Sequence, residues 1–303
     1  MMDWSDRHFR FFMRLINREA FLYTEMITTG ALIHGDVDRH LAFHESEHPL
    51  AIQLGGCDPE ELKTCSKIAE RYGYDEINLN IGCPSERVQR GAFGACLMAE
   101  PQLVAECVRA ILDKTALPVT VKHRIGVDAI EDYSFVHDFV KTVAASGCGT
   151  FIVHARNAML KGLSPKENRE VPPLKYDYVY RLKRDFPELE IVMNGGIASS
   201  MEMRLHLEQV DGVMLGRAAY HNPWLLADAG KTRAEIVEQM VDYAKGVPLI
   251  RHVTRHMLGL YHATPRARLW RRMLSDPARL ERNDPALLAD ALDAVESRVM
   301  MAA

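Results

Sequence analysis

No Cys-x-x-Cys pair occurs in the 303 residues. The usual zinc-site and thioredoxin-type spacings are therefore excluded, although cysteines stand at 57, 65, 83, 96, 107 and 148. No apolar run approaches the roughly 20 residues needed to span a bilayer. The opening Met1-Met2-Asp3-Trp4-Ser5-Asp6-Arg7 has no apolar signal core. A cytoplasmic protein is expected, with its cysteines reduced. Strong charge of either sign is also missing, since the formal net charge is −4. Any affinity for nucleic acid must then come from a local basic surface. One candidate is Arg251 to Arg272, which contains no Asp or Glu. His40, His44 and His48 have helical spacing, but Pro49 follows at once and ends any helix, so no metal site is read there.

What is present is a core-forming chain, 48% hydrophobic and 26% charged. Short apolar, β-branched runs recur at Phe21–Thr24, Leu50–Leu54, Glu76–Ile81, Val119–His123, Thr150–His154, Ile191–Asn194 and Gly212–Leu215. Each is followed by a turn and a helical pattern, as in a parallel sheet. The expected fold is α/β, a (β/α)8 TIM barrel. Its first strand is expected to be truncated, because Met1 to about Asn17 reads as a turn and helix. Beyond Gly230 only helical patterns remain: Thr232–Lys245, Pro248–Tyr261, Ala267–Leu274 and Pro285–Val299. The expected domains are a barrel over 1–230 and a helical domain over 231–303.

Barrel enzymes work at the carboxyl ends of their strands. Read there, the chain offers Gln53, then Asn78 and Asn80 with Cys83, then Lys122 with His123 and Arg124, His154 with Arg156, Asn194-Gly195-Gly196, and Gly216-Arg217. Singly each could be a cap or a buried hydrogen bond, but recurrence on successive strands points to a site. The last two groups would close barrel strands seven and eight, where loops often bind phosphate. Lys122, inside the apolar run PVTVKHR, suits a Schiff base or a positive charge beside an electron-rich cofactor. Cys83, on a Gly/Pro loop, suits a nucleophile or a proton donor.

In order and spacing, the segments MMDWSDRHFR, QLGG, LNIGCPS, VKHRIG, VHARNAMLKGLSPKENREVPPL, NGGI and LGRAAYHNPW resemble the tRNA-dihydrouridine synthases, in particular their A-type bacterial branch. The resemblance implies reduction of uridine to dihydrouridine in the tRNA D-loop at positions 20 and 20a. It implies FMN as cofactor, NADPH as reductant, tRNA as the partner, and no obligate protein partner or membrane. The implied flavin set is Met1, Met2, Gln53, Lys122, His154, Asn194, Gly195, Gly196, Gly216 and Arg217, with Cys83 as catalytic acid. The implied tRNA contacts are Asn80, Lys166, Arg169, Arg268 and Arg271. Three other readings of the residues are a small-molecule flavin enzyme of the dihydropyrimidine or dihydroorotate type, an inactive RNA-binding barrel, and a Schiff-base aldolase using Lys122.

Overall fold

The computed structural model describes residues 1–130 and 132–296. They form two compact units. The larger comprises Phe21–Phe43 and His48–Leu215. Its seven strands are β1 (Leu22–Thr28), β2 (Leu50–Gly55), β3 (Glu76–Ile81), β4 (Val119–Arg124), β5 (Thr150–His154), β6 (Glu190–Asn194) and β7 (Gly212–Met214). All are parallel, and their order in the sheet is their order in the chain. A doubly wound sheet would reverse direction at a switch point. An order that never reverses, with helices between strands, is that of the (β/α)8 TIM barrel. Among the described residues, β1 and β7 each pair along one edge only.

The strands lie close to where the apolar runs predict them, and β2 to β5 are buried on both faces. Every residue of β2 is buried, and five of the six in β3. The exception is β1, which continues four residues past the predicted Thr24. Its pairing slips by one residue between Tyr23 and Met26. This bulge and the charged Glu25 break the apolar run without ending the strand.

The intervening helices follow from local chemistry. In Pro59–Tyr72, Asp58 caps the first turn by accepting from the N–H groups of Glu60 and Glu61. Pro59 is the first helical residue, where no N–H is needed, and Gly73 ends the helix at φ 87°. Leu62, Cys65 and Ala69 are its buried face. Cys107 and Cys148 are likewise buried, whereas Cys57, Cys83 and Cys96 are half-buried.

The smaller unit comprises Met1–Ala20, His44–Glu47 and the described residues from Gly216 onward. Its longer helices are Arg7–Ile16, Arg233–Ala244, Arg251–Met257, Ala267–Leu274 and Ala286–Glu296. The predicted helix to Val299 extends past the described residues. On helix Arg7–Ile16, Arg10 and Arg14 are buried and grip Glu47: Arg10 Nε is 2.6 Å from Glu47 Oε2, and Arg14 donates to the Glu47 carbonyl at 2.9 Å. Trp270 is fully buried, and its indole N–H donates to the Met257 carbonyl at 2.8 Å. No helix among the described residues is long and apolar enough to cross a membrane.

Candidate active site

In the larger unit, strand-end side chains engage one another. Lys122 of β4 donates to Asn194 Oδ1 of β6 at 3.1 Å. The other end of the Asn194 amide donates to the Met214 carbonyl at 2.8 Å, so its orientation is set from β7. Burial pushes the Lys122 ammonium down to about 8; the nearby Arg124 charge lowers it further, and Cys83 opposes the shift. Its positive charge is therefore buried beside a neutral amide rather than a carboxylate.

Beside Asn194 the backbone turns through Gly195 and Gly196, both at positive φ. A Cβ on Gly195 would stand 2.6 Å from the His154 ring, and one on Gly196 2.6 Å from both Leu174 Cδ1 and the Tyr176 hydroxyl. Tyr176 in turn donates to the Gly195 carbonyl at 2.9 Å. Glycine is required here on two counts, dihedral angle and space. His154 is buried at the end of β5.

Cys83 follows β3 on a loop pinned from several sides. The N–H groups of Gly82 and Cys83 both donate to Asn80 Oδ1, each at 3.0 Å. The Cys83 thiol lies 3.5 Å from the Ser85 hydroxyl. Gln53 accepts from Asn80 Nδ2 at 2.7 Å, which joins two of the predicted site residues.

Arg124 has a larger part than its place at a strand end suggests. Its buried guanidinium donates to the carbonyls of Gly82, Asn157 and Asn168, at 3.2, 3.2 and 3.0 Å. It therefore ties the Cys83 loop to the loop after β5. Asn168, wholly buried, closes that second loop by bonding both ways with the Met159 backbone. Gln89 adds another tie, donating to the carbonyls of Pro84 and Leu160. A polar residue in a polar loop gives no sequence signal of burial, so Asn168 escapes notice. Lys166 and Arg169 flank it and are exposed, as tRNA contacts would require.

The remaining predicted residues lie in the smaller unit. Met1 packs near Gly216, its Sδ 3.4 Å from where a Gly216 Cβ would be, while Met2 is 58% exposed. Arg217 begins helix Arg217–His221. Arg268, Arg271 and Arg272 are exposed on helix Ala267–Leu274, while Trp270 of the same helix is buried. The acid-free stretch is not uniformly available, because Asp6 lies 2.5 Å from Arg255 and 3.0 Å from His256.

A sequentially wound parallel barrel with a lysine, a buried histidine, a glycine turn and a tethered thiol at its strand ends defines a barrel enzyme. A family model described as Dihydrouridine synthase (Dus) matches residues 1–296. The chain is 54% identical to the tRNA-dihydrouridine(20/20a) synthase of Shewanella oneidensis, over 92% of this chain and 87% of that one. It is 54% identical to the protein of the same name from Vibrio parahaemolyticus, over 96% and 94%. It is 53% identical to that of Escherichia coli K12, over 98% and 90%. The chain belongs to the dihydrouridine synthase family, and so to enzymes rather than to inactive modules. Membership also decides against the aldolase and dihydroorotate-type readings of the lysine and the barrel.

Proposed function

We propose that this enzyme reduces uridine to 5,6-dihydrouridine at positions 20 and 20a of the tRNA D-loop, the positions named for its relatives. The observation that carries the site reading is the Lys122–Asn194 pair beside the double-glycine turn. It fits FMN: a buried ammonium whose Asn194 partner is neutral, and a backbone without Cβ atoms, suit an electron-rich ring and a phosphate. Gln53, Lys122, His154, Asn194, Gly195 and Gly196 would hold the cofactor, and the resemblance adds Met1, Met2, Gly216 and Arg217. When bound, FMN would supply the redox chemistry, a hydride originating in NADPH and needed at C6 of the uracil.

The chain's own residues do the rest. Lys122 supplies positive charge where electron density collects. Cys83 donates its thiol proton to C5 as the C5=C6 double bond is lost, and the thiolate regains a proton from solvent. Asn80, bonded to the Gly82–Cys83 backbone, would be a tRNA contact beside the thiol, as the resemblance implies. The base must leave its stack to reach the strand ends. Lys166 and Arg169 on one loop, and Arg268 and Arg271 on the helix, would hold tRNA phosphates. In this reading, residues 1–230 carry the chemistry, 231–303 grip tRNA, and the enzyme works in the cytoplasm.

The deciding experiment maps dihydrouridine in tRNA from cells lacking the protein and adds purified protein with NADPH to that tRNA. Loss at 20 and 20a, with restoration in vitro, is expected. Unchanged dihydrouridine at both positions would overturn the assignment.

A further inference from the structure

A line of hydrogen bonds runs inside the larger unit from the Cys83 loop to the opposite end of the strands. Strand alternation puts Glu76, Asn78 and Asn80 of β3 on one face. Gln53 of β2 and Thr120 of β4 are the register partners of Asn78 on either side. With Asn80 Oδ1 occupied by the N–H groups of Gly82 and Cys83, its amide nitrogen donates to Gln53 Oε1 at 2.7 Å. Gln53 Nε2 donates to Asn78 Oδ1 at 2.8 Å. Asn78 Nδ2 donates to Thr120 Oγ1 at 2.8 Å, and the Thr120 hydroxyl donates to Glu76 Oε1 at 2.6 Å.

Every donor points the same way. The backbone fixes the line at the Cys83 end and a carboxyl oxygen receives it at the other, so neither Asn nor Gln can reverse its amide without breaking two bonds. Asn78 and Thr120 are 0% and 2% exposed, and Gln53 and Glu76 each 8%. An apolar stripe would serve the core at less cost in desolvation, and bonds aligned head to tail reinforce one another.

We propose that Glu76 anchors a positioning relay that acts through Thr120, Asn78 and Gln53 to set the Asn80 amide and, with it, the Gly82–Cys83 backbone that carries the thiol. Its bearing on the reaction rests on the reading of Cys83 as proton donor. Glu76 is a positioning residue, remote from the substrate. Burial pushes its carboxyl up to about 7; Thr120 and Tyr23 oppose this with hydrogen bonds, and the Glu190 charge adds to it. The groups around it are Tyr23 of β1, Thr120 of β4, Glu190 of β6 and Cys148 ahead of β5. The anchor thus becomes a stronger, charged acceptor as pH rises through neutrality.

The test uses Thr120→Val, which removes the hydroxyl at nearly constant size, with Thr120→Ser as the rescue. Two quantities are read on the flavin-loaded protein. One is tRNA reduction at saturating tRNA. The other is the rate of Cys83 alkylation by iodoacetamide, followed by peptide mass so that the other cysteines do not interfere. A displaced thiol should cost roughly tenfold in kcat with KM for tRNA within about twofold, and should change alkylation about threefold or more. Thr120→Ser should restore both. The wild-type alkylation profile should carry an inflection where Glu76 titrates, near pH 7, and Glu76→Gln should lack it.

A folded Thr120→Val protein that alkylates and turns over as wild type overturns the relay. If that variant does not fold, a step near pH 7 retained in Glu76→Gln overturns it instead. Failure of the Cys83 reading is separate: Cys83→Ala would then modify tRNA at full rate, while Thr120→Val still altered alkylation of Cys83.

Discussion

Gly195 lies against His154 so closely that a single added carbon would come within 2.6 Å of the imidazole Cδ2. The backbone there is at φ 111°, which side chains other than glycine rarely adopt. Gly195→Ala is therefore strained by both conformation and contact. Stability should fall by about 1–3 kcal/mol, and flavin content should fall as well. Thermal melting and absorbance of the purified variant check this. A yellow, fully stable Gly195→Ala protein would show that neither constraint operates.

Cys83→Ala should keep its flavin and accept hydride from NADPH at the wild-type rate in stopped flow. Reduction of tRNA should drop about 100-fold or more, the usual worth of a placed general acid. Cys83→Ser, a much weaker acid, should recover little. Full tRNA reduction by Cys83→Ala would remove the thiol from the mechanism.

Arg268 and Arg271 are three residues apart on one exposed helix face, with the buried Trp270 anchoring the other side. Replacing both with Ala should weaken tRNA binding at low salt. It should also flatten the dependence of log K on log salt by roughly one unit per lost phosphate contact. NADPH oxidation in the absence of tRNA should not change. Wild-type affinity and slope in the double variant would transfer the grip to the loop of Lys166 and Arg169.

Glu76 yields a prediction about stability. Its folded pKa is raised, so between 4.5 and about 7 the folded protein binds more protons at this group than the unfolded chain. Stability from this group is present below that window and lost as pH rises through it. Relative to Glu76→Gln, which cannot ionise, the wild type should lose stability from pH 4.5 to about 7 and stay level above it. Urea unfolding of both proteins across that range measures the difference. A constant gap would mean that the carboxyl does not titrate there.

Six of the seven strands could be read to within a residue or so, because short apolar, β-branched runs bounded by turns mark them, β2 to β5 being buried on both faces. The second half of β1 could not, because Glu25 sits at a bulge and mimics a strand end. The polar strand-end residues could be found by position alone. Their partners could not: whether Asn80 meets Gln53, or Lys122 meets Asn194, depends on register and closure between segments far apart in the chain. Arg124 shows the same limit. Its charge is visible in VKHRIG, but nothing local says that it turns inward to three carbonyl oxygens.

That guanidinium makes two loops one mechanical body. The Cys83 loop and the loop around Asn168 share Arg124 of β4, so neither can swing away from the strands without stripping this buried cation of some of its acceptors and loosening its hold on the other loop. Their opening should then be a single event, with amide protons of both segments exchanging at one common rate, and Arg124→Lys should split that rate in two.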